Sequence, residues 1–219
     1  MDTFLANVLP FWKNLSNSEK EMVVNSIQKR NYAANSIIHH IGVDCVGLKI
    51  MRNGMIRVFV YSSNGSEITL YRLKNNDICN LSILCTLKKL DLDINIEVEE
   101  DSLVYIIPIE IYKRLLINKA VYEYDKITTE QRLTEVVSTF SEVLFFSVEK
   151  RLINLLIYYS KLLKSDTLTI THEKLAKDIG TVREVVSRTL KNLQMMNLVE
   201  LSRGKIKIID INRLKNELN

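Results

Sequence analysis

The stretch that decides the reading is Leu168–Asp210, LTITHEKLAKDIGTVREVVSRTLKNLQMMNLVELSRGKIKIID. Thr171 to Ile179 has helical spacing, Gly180-Thr181 interrupts it, and Val182 to Met196 resumes it. Two helices joined by a tight turn with one glycine form the geometry in which the second helix enters a major groove. Ala176 is small enough for the helices to cross closely, and Gly180 permits the backbone of the turn. On the second helix Val185, Val186, Leu190 and Leu193 supply an inward face. Arg183, Glu184, Ser187, Arg188 and Lys191 are left pointing outward. Arginine matches the two acceptors of guanine, and glutamate accepts from the cytosine amino group. Leu198–Leu201 and Lys205–Ile209 flank a turn at Arg203-Gly204, which makes a β-hairpin, or wing. Its Arg203, Lys205 and Lys207 suit phosphates. A charged solvent face on an ordinary helix is the bland alternative. The placement of the turn and the basic hairpin directly after it favour double-stranded DNA.

On the N-terminal side of this stretch, Arg151 to about Leu163 starts another helix, and the stretch's own Leu168-Thr169-Ile170 reads as a short strand. From Ser147 onward there are 14 Lys and Arg against 8 Asp and Glu, a balance of +6. Met1 to Phe146 holds 16 basic and 18 acidic residues, a balance of −2. A basic final third on a slightly acidic body points to a polyanion. Ahead of it, from about Ala120, helical spacing persists for some 25 residues, with Ile127, Leu133, Val136, Val137, Phe140, Val143 and Leu144 as its apolar positions. A helix that long with one apolar stripe needs a partner surface, and a second copy of itself is favoured over its own domain.

From about Tyr32 to Pro108 the period is two. Val46, Leu48 and Ile50 alternate with other residues, as do Ile56, Val58 and Val60 after Asn53-Gly54. Ser62–Gly65 is a turn signal, with Ile68, Leu70 and Leu73 beyond it. Ile94–Val98 and Leu103–Ile107 complete a set of short strands, as in a closed antiparallel roll. Near the N-terminus, Ser16 and Glu19 have capping-box spacing, opening a short helix that ends near Arg30. The fold class is α+β: an N-terminal antiparallel β-roll, jelly-roll-like, then a long dimerisation helix and a C-terminal winged helix-turn-helix. The expected domains are 1–119, 120–146 and 147–219.

Composition sets limits. The chain has 219 residues, 47% hydrophobic and 26% charged, with only 2 prolines and 6 glycines, as in a globular protein with a sizeable core. No basic-then-apolar leader and no membrane-length apolar run is present, so a cytoplasmic protein without membrane contact is expected. Cys45, Cys79 and Cys85 are odd in number and lack CxxC spacing, which argues against a disulfide framework or structural zinc. No Gly-rich phosphate loop, HExxH or GxSxG occurs, and His39, His40 and His172 have no obvious nucleophile partner, so an enzyme is not expected.

The quoted stretch resembles the winged helix of the CRP/FNR transcription regulators. RLINLL (151–156) is similar to the helix leading into it, and KIMRNGMIRVFVYSSNGSEITLYRLKNNDI (49–78) resembles the family's cyclic-nucleotide-type β-roll. R-E-x-x-x-R at Arg183, Glu184 and Arg188 resembles the cAMP receptor branch, and E-x-x-S-R at Glu184, Ser187 and Arg188 the FNR branch. The resemblance implies a homodimer on a palindrome with TGTGA- or TTGAT-type half-sites, base reading by Arg183, Glu184, Ser187 and Arg188, and phosphate contacts at Thr171 and Arg203. His172, Lys191 and Lys205 join the phosphate set. RNA polymerase is an implied partner if the protein activates.

The family's nucleotide pocket uses a Gly-Glu pair and an arginine before Ser or Thr. Here Asn80 and Leu81, followed by Ser82, stand in place of the pair, and Asp93 falls at or near the arginine. Glu97, Glu99, Glu100 and Asp101 follow. A carboxylate repels a phosphate, so cAMP binding of the family's kind is not expected. His39, His40, Cys79 and Cys85 are the candidate axial ligands of a haem, but lone His and Cys residues in a β-roll are far more often structural, and no cofactor is expected. Redox sensing at Cys79 or Cys85 depends on thiol environment. Another small-molecule effector, or none, remains. The alternative function is a β-roll sensor of haem, redox state or another small molecule whose helical domain works through protein contacts.

Overall fold

Helix α1 (Asp2–Val8), a 3-10 turn (Trp12–Asn14) and α2 (Asn17–Ser26) precede the sheet in the computed structural model, which describes residues 2–39, 47–61, 65–79 and 94–218. The capping box forms: Ser16 Oγ accepts from the Glu19 amide, and the Glu19 carboxylate accepts from the Ser16 amide at 2.7 Å. That backbone bond, ahead of other causes, holds the Glu19 carboxyl below its ordinary pKa. The helix expected to reach Arg30 stops at Ser26, and Arg30 lies in β1 (Gln28–Tyr32). Ladder pairing explains the difference. All of β1 runs antiparallel to one long strand, from Gln28↔Ile106 to Tyr32↔Ser102, and such pairing overrides local helical spacing.

The sheet has the order β1-β6-β3-β4, with β6 (Ile94–Pro108), β3 (Gly47–Tyr61) and β4 (Glu67–Leu73); β2 (Ile37–His39) also pairs with β6, and β5 (Ile78–Cys79) with β3. β3 and β6 are each 15 residues long. The sequence suggested two separate runs in each. Instead their register continues from Gly47↔Pro108 to Val60↔Ile94, shifting between Met51 and Ile56. Gly54 sits at that irregularity with φ +88°, and a Cβ there would stand 2.2 Å from Ser102 Oγ and 2.6 Å from the Asp101 carbonyl oxygen. Asn53-Gly54 is therefore a bulge that bends a continuous strand.

The chain divides into two units, Met1–Val60 with Leu70–Val136, and Tyr61–Thr69 with Val137–Asn219. In the first, Leu5, Leu9, Phe11, Trp12 and Val23 pack with Leu48, Ile50 and Ile107 of the sheet, and with Tyr112 and Leu115 of α3 (Ile109–Leu115). Elsewhere the sheet carries charge pairs between its strands. Arg57 lies opposite Glu97 in register and bonds it at 2.8 Å, with its guanidinium over the Phe59 ring. Arg72 bonds Glu99 in a two-pronged pair at 2.7 and 3.0 Å, and the Asp101 carboxylate accepts from the Ala34 amide. Three of the four acids that follow Asp93 in the sequence are thus already engaged within the protein.

The long helix α4 spans Lys119–Phe145. It faces its own unit through Val121, Asp125 and Val136, all buried. The Tyr112 hydroxyl donates to Asp125 at 2.8 Å, and burial foremost pushes the Tyr112 pKa well up.

In the second unit Ser147 caps α5 (Val148–Leu163), its Oγ accepting from the Lys150 amide. β7 (Thr167–Leu168), α6 (His172–Ile179), α7 (Arg183–Met195), β8 (Val199–Ser202), β9 (Lys205–Ile208) and α8 (Ile211–Asn216) follow, with sheet order β7-β9-β8. Helices α1, α3 and α8 were not anticipated. Leu152, Ile153 and Leu156 of α5 form one core with Leu175, Val186, Leu190, Leu193 and Leu214. Asp178 is buried and satisfied: it accepts from the Tyr159 hydroxyl at 2.6 Å and from Thr69 Oγ1 at 2.7 Å.

Gly54→Ala combines a positive φ with a collision against backbone and should destabilise the protein by about 1–3 kcal/mol. Gly65→Ala also has positive φ but meets nothing within 4 Å, so it should cost clearly less. Denaturant melts of both variants check this ordering, and equal losses would contradict it.

Candidate nucleic-acid interface

Thr171 ends β-type backbone and caps α6, its Oγ1 accepting from the Lys174 amide at 3.1 Å. Ala176 is buried where α6 meets α7, and Gly180 ends α6 in the left-handed conformation at φ +68°. A Cβ on Gly180 would stand 2.7 Å from Ile68 Cγ1. The turn then hands the chain to α7 with Val182 as its N-cap. Val186, Leu190 and Leu193 face inward with no exposure, as expected, whereas Val185 is only half-buried. Thr189 completes the inner face, its hydroxyl satisfied by the Val185 carbonyl.

Arg183, Glu184, Arg188 and Lys191 are exposed, and Ser187 is half-buried among them. The wing places Arg203, Lys205 and Lys207 in solvent; Lys207 lies 3.8 Å from Glu200, an exposed pair of little energetic weight. His172 does more than lie near the surface. Its Nδ1 is 2.8 Å from Ser187 Oγ, while Ser187 Oγ donates to the Arg183 carbonyl at 2.9 Å. Burial, and then the neighbouring Arg183 charge, hold the His172 pKa below its ordinary value. This cross-helix link was not read from the sequence, since spacing along one helix says nothing of which side chain meets it from the other.

Asn80, Leu81, Ser82, Asp93, His40, Cys45 and Cys85 lie outside the described residues, and only the backbone of His39 is described. Cys79 is buried, and burial foremost raises its thiol pKa, which disfavours the reactive thiolate. Beside it Tyr71 is buried under Arg132, whose guanidinium lies 5.1 Å from the ring centroid and bonds Glu135 at 2.7 Å. A cavity of about 290 Å³ in the first unit is lined by Asp77, Tyr124, Thr128, Gln131, Arg132 and Glu135, among others.

Among the expected dimerisation residues, Leu133, Val137 and Leu144 are 37%, 56% and 74% exposed, on one stripe of α4, with half-buried Phe140 between them. Tyr122, exposed on the same stripe, was missed. Val136 is buried inside the first unit and so stands off the open face. Ile127 is exposed but lies roughly 100° round the helix from that stripe.

A helix-turn-helix with a wing, following a β-sheet domain and a long helix, defines a winged-helix DNA-binding regulator. The sequence pattern of the Crp-like helix-turn-helix domain matches residues 150–217, and that of the cyclic nucleotide-binding domain matches residues 29–119. A crystal structure of a transcriptional regulator of the CRP/FNR family from Eubacterium rectale ATCC 33656 is similar over 97% of this chain and 99% of its own, with 34% identity and a TM-score of 0.87. The chain belongs to the CRP/FNR family of transcription regulators, which are not enzymes. The c-di-GMP responsive global regulator CLP of Xanthomonas campestris shares the fold at 16% identity and a TM-score of 0.73, over 89% of this chain and 100% of its own. A CooA variant from Carboxydothermus hydrogenoformans does so at 16% and 0.72, over 96% and 95%. None of the curated proteins matches. Among the described residues no helix is long and apolar enough to cross a membrane.

The His172 shift makes stability depend on pH. The unfolded imidazole takes up a proton near its ordinary value of 6.5, before the folded one does. This group's effect is therefore neutral above that value and destabilising as pH falls below it. Melting temperatures between about pH 7 and pH 5 should decline less steeply in His172→Asn than in the wild type. Parallel declines would show that the imidazole is not held neutral by its surroundings.

Proposed function

We propose that this regulator binds double-stranded DNA as a homodimer and reads a palindrome with TGTGA- or TTGAT-type half-sites, without cAMP as effector. One observation carries the reading: α7 buries Val186, Leu190 and Leu193 completely and keeps Arg183, Glu184 and Arg188 exposed on its N-terminal half. That half of a recognition helix is the part that meets base edges. Arg188 pairs with the two acceptors of guanine, and Glu184 with a cytosine amino group. Thr171, His172, Lys191, Arg203 and Lys205 hold phosphates, which fix register and not sequence.

Homodimerisation is supported by the open stripe of Leu133, Val137 and Leu144 on α4. Specific binding then requires two recognition helices about 34 Å apart, one helical turn of DNA. The charge pairs of the sheet support the absence of cAMP binding. Arg57 and Arg72 are bonded to Glu97 and Glu99. A phosphate that recruited Arg57 or Arg72 would leave a shielded carboxylate without its counter-charge, which is strongly unfavourable.

Fluorescence anisotropy on a palindromic TTGA/TCAA duplex and a scrambled-core duplex, across a salt series, tests the reading. Arg188→Ala should weaken the specific complex by about 1–3 kcal/mol and leave the scrambled one unchanged, and cAMP should move neither curve. Equal weakening on both duplexes would reduce Arg188 to a phosphate contact. Binding with no core preference at all would favour a helical domain that works through protein contacts.

Val137→Glu should convert the dimer to monomer in native mass spectrometry at micromolar concentration. A dimer that survives it would move the interface elsewhere.

A further inference from the structure

Ser187 has one hydroxyl proton and oxygen lone pairs, so it can donate one hydrogen bond and accept others. Its surroundings use the proton. Ser187 Oγ donates to the Arg183 carbonyl at 2.9 Å, one turn back along α7, and His172 Nδ1 stands 2.8 Å from the same oxygen. A carbonyl only accepts. With the proton on Arg183, Nδ1–H of His172 donates to Ser187. If a neutral His172 instead carries its proton on Nε2, Nδ1 accepts and the serine proton goes to it. If both ring nitrogens are protonated, the serine proton returns to Arg183. In every protonation state the serine proton is bound inside the protein, and the hydroxyl can offer DNA only a lone pair.

We propose that His172 is a positioning residue that fixes the Ser187 hydroxyl as an acceptor, so that Ser187 reads an exocyclic amino group, adenine N6 or cytosine N4. These are the hydrogen-bond donors that base edges present in the major groove; guanine N7 and O6 and thymine O4 are acceptors and would meet a lone pair with a lone pair. The proposal rests on the reading that α7 enters the major groove. His172 is suited to the task by its place: it is the first residue of α6, beside the cap Thr171, half-buried, and linked across the helix crossing to the middle of α7's outer face. Its Nε2 makes no hydrogen bond with any described residue. A phosphate on Nε2 would orient the same ring that orients Ser187, which couples backbone grip to base reading.

The test uses the full-length protein and duplexes in which single amino groups are deleted, purine replacing adenine and pyrimidin-2-one replacing cytosine. In the wild type, deletion at one half-site position should weaken binding about tenfold. In Ser187→Ala that deletion should have no effect, while deletions elsewhere keep theirs. His172→Phe should lose the same position's sensitivity, and His172→Asn, whose amide can meet Ser187 Oγ, should retain most of it. Unchanged melting of the Asn variant at pH 7, above the range in which the imidazole titrates, guards against a folding defect. Should Ser187→Ala instead abolish discrimination at a thymine or guanine, or should His172→Phe leave the amino-group response intact, the proposal is overturned. Arg188→Ala separates the two readings: core-dependent binding that collapses with Arg188 but has no Ser187-dependent amino position removes this proposal alone. Absence of any core preference removes the DNA reading beneath it.

Discussion

Everything at the interface depends on the complete burial of one side of α7. Val186, Leu190 and Leu193 are held without exposure against α5 and α6. At 3.6 residues per turn, fixing that side fixes what the other side presents. Arg183, Glu184 and Arg188 are outward because they have no inward alternative. The neighbouring helix is fixed with equal care. Asp178 receives two hydroxyl donors within the core, and a buried carboxylate satisfied in this way resists displacement, since losing either partner leaves a costly group behind. Gly180 then allows a turn tight enough for Ala176 to sit against α7. A reading head needs this stiffness, because base-edge hydrogen bonds tolerate little displacement.

Charge is used in opposite ways in the two units. In the first, arginines meet glutamates across the sheet at 2.7 to 2.8 Å, shielded from solvent, so they cancel at short range. In the second, the basic groups of α7 and the wing stand in solvent, where they add up at longer range. The net charge of the whole chain, +4, hides this division. Exposed cations suit a phosphate backbone, whose grip comes from counterion release and not from buried pairs.

The helix-turn-helix and wing were legible because their signals are local: capping residues, one glycine, and an apolar period of three to four. Thr171, Gly180 and the hairpin stand where the sequence put them, with element ends displaced by a residue or two. The sheet was less legible. Asn53-Gly54 has the composition of a hairpin turn but serves as a bulge, since whether such a pair reverses the chain depends on a partner strand roughly 50 residues away. Glu97 and Glu99 read only as part of an acidic run, yet pair with arginines on other strands. Val136 has the right spacing for an open stripe and faces inward. His172 and Ser187 meet only because two helices cross. In each case the missing information was a contact between segments, which periodicity cannot supply.

Helix α4 poses the last physical question. Val121, Asp125 and Val136 turn to its own unit, while Tyr122, Leu133, Val137 and Leu144 form a second apolar stripe about a third of a turn away. A helix in contact with one domain needs one stripe; two stripes imply two partners. An unrelated protein could cover the second, but a second copy does so with a feature no other partner has. A two-fold axis along α4 would make such an interface self-complementary, close the assembly at two subunits and relate the reading heads by the same symmetry as a palindrome. A head-to-tail contact through the same stripe would orient both heads alike and lose that match. On the proposed reading, the apolar stripe on α4 and the polar face of α7 answer to one symmetry, and a dimer is the arrangement that would satisfy both.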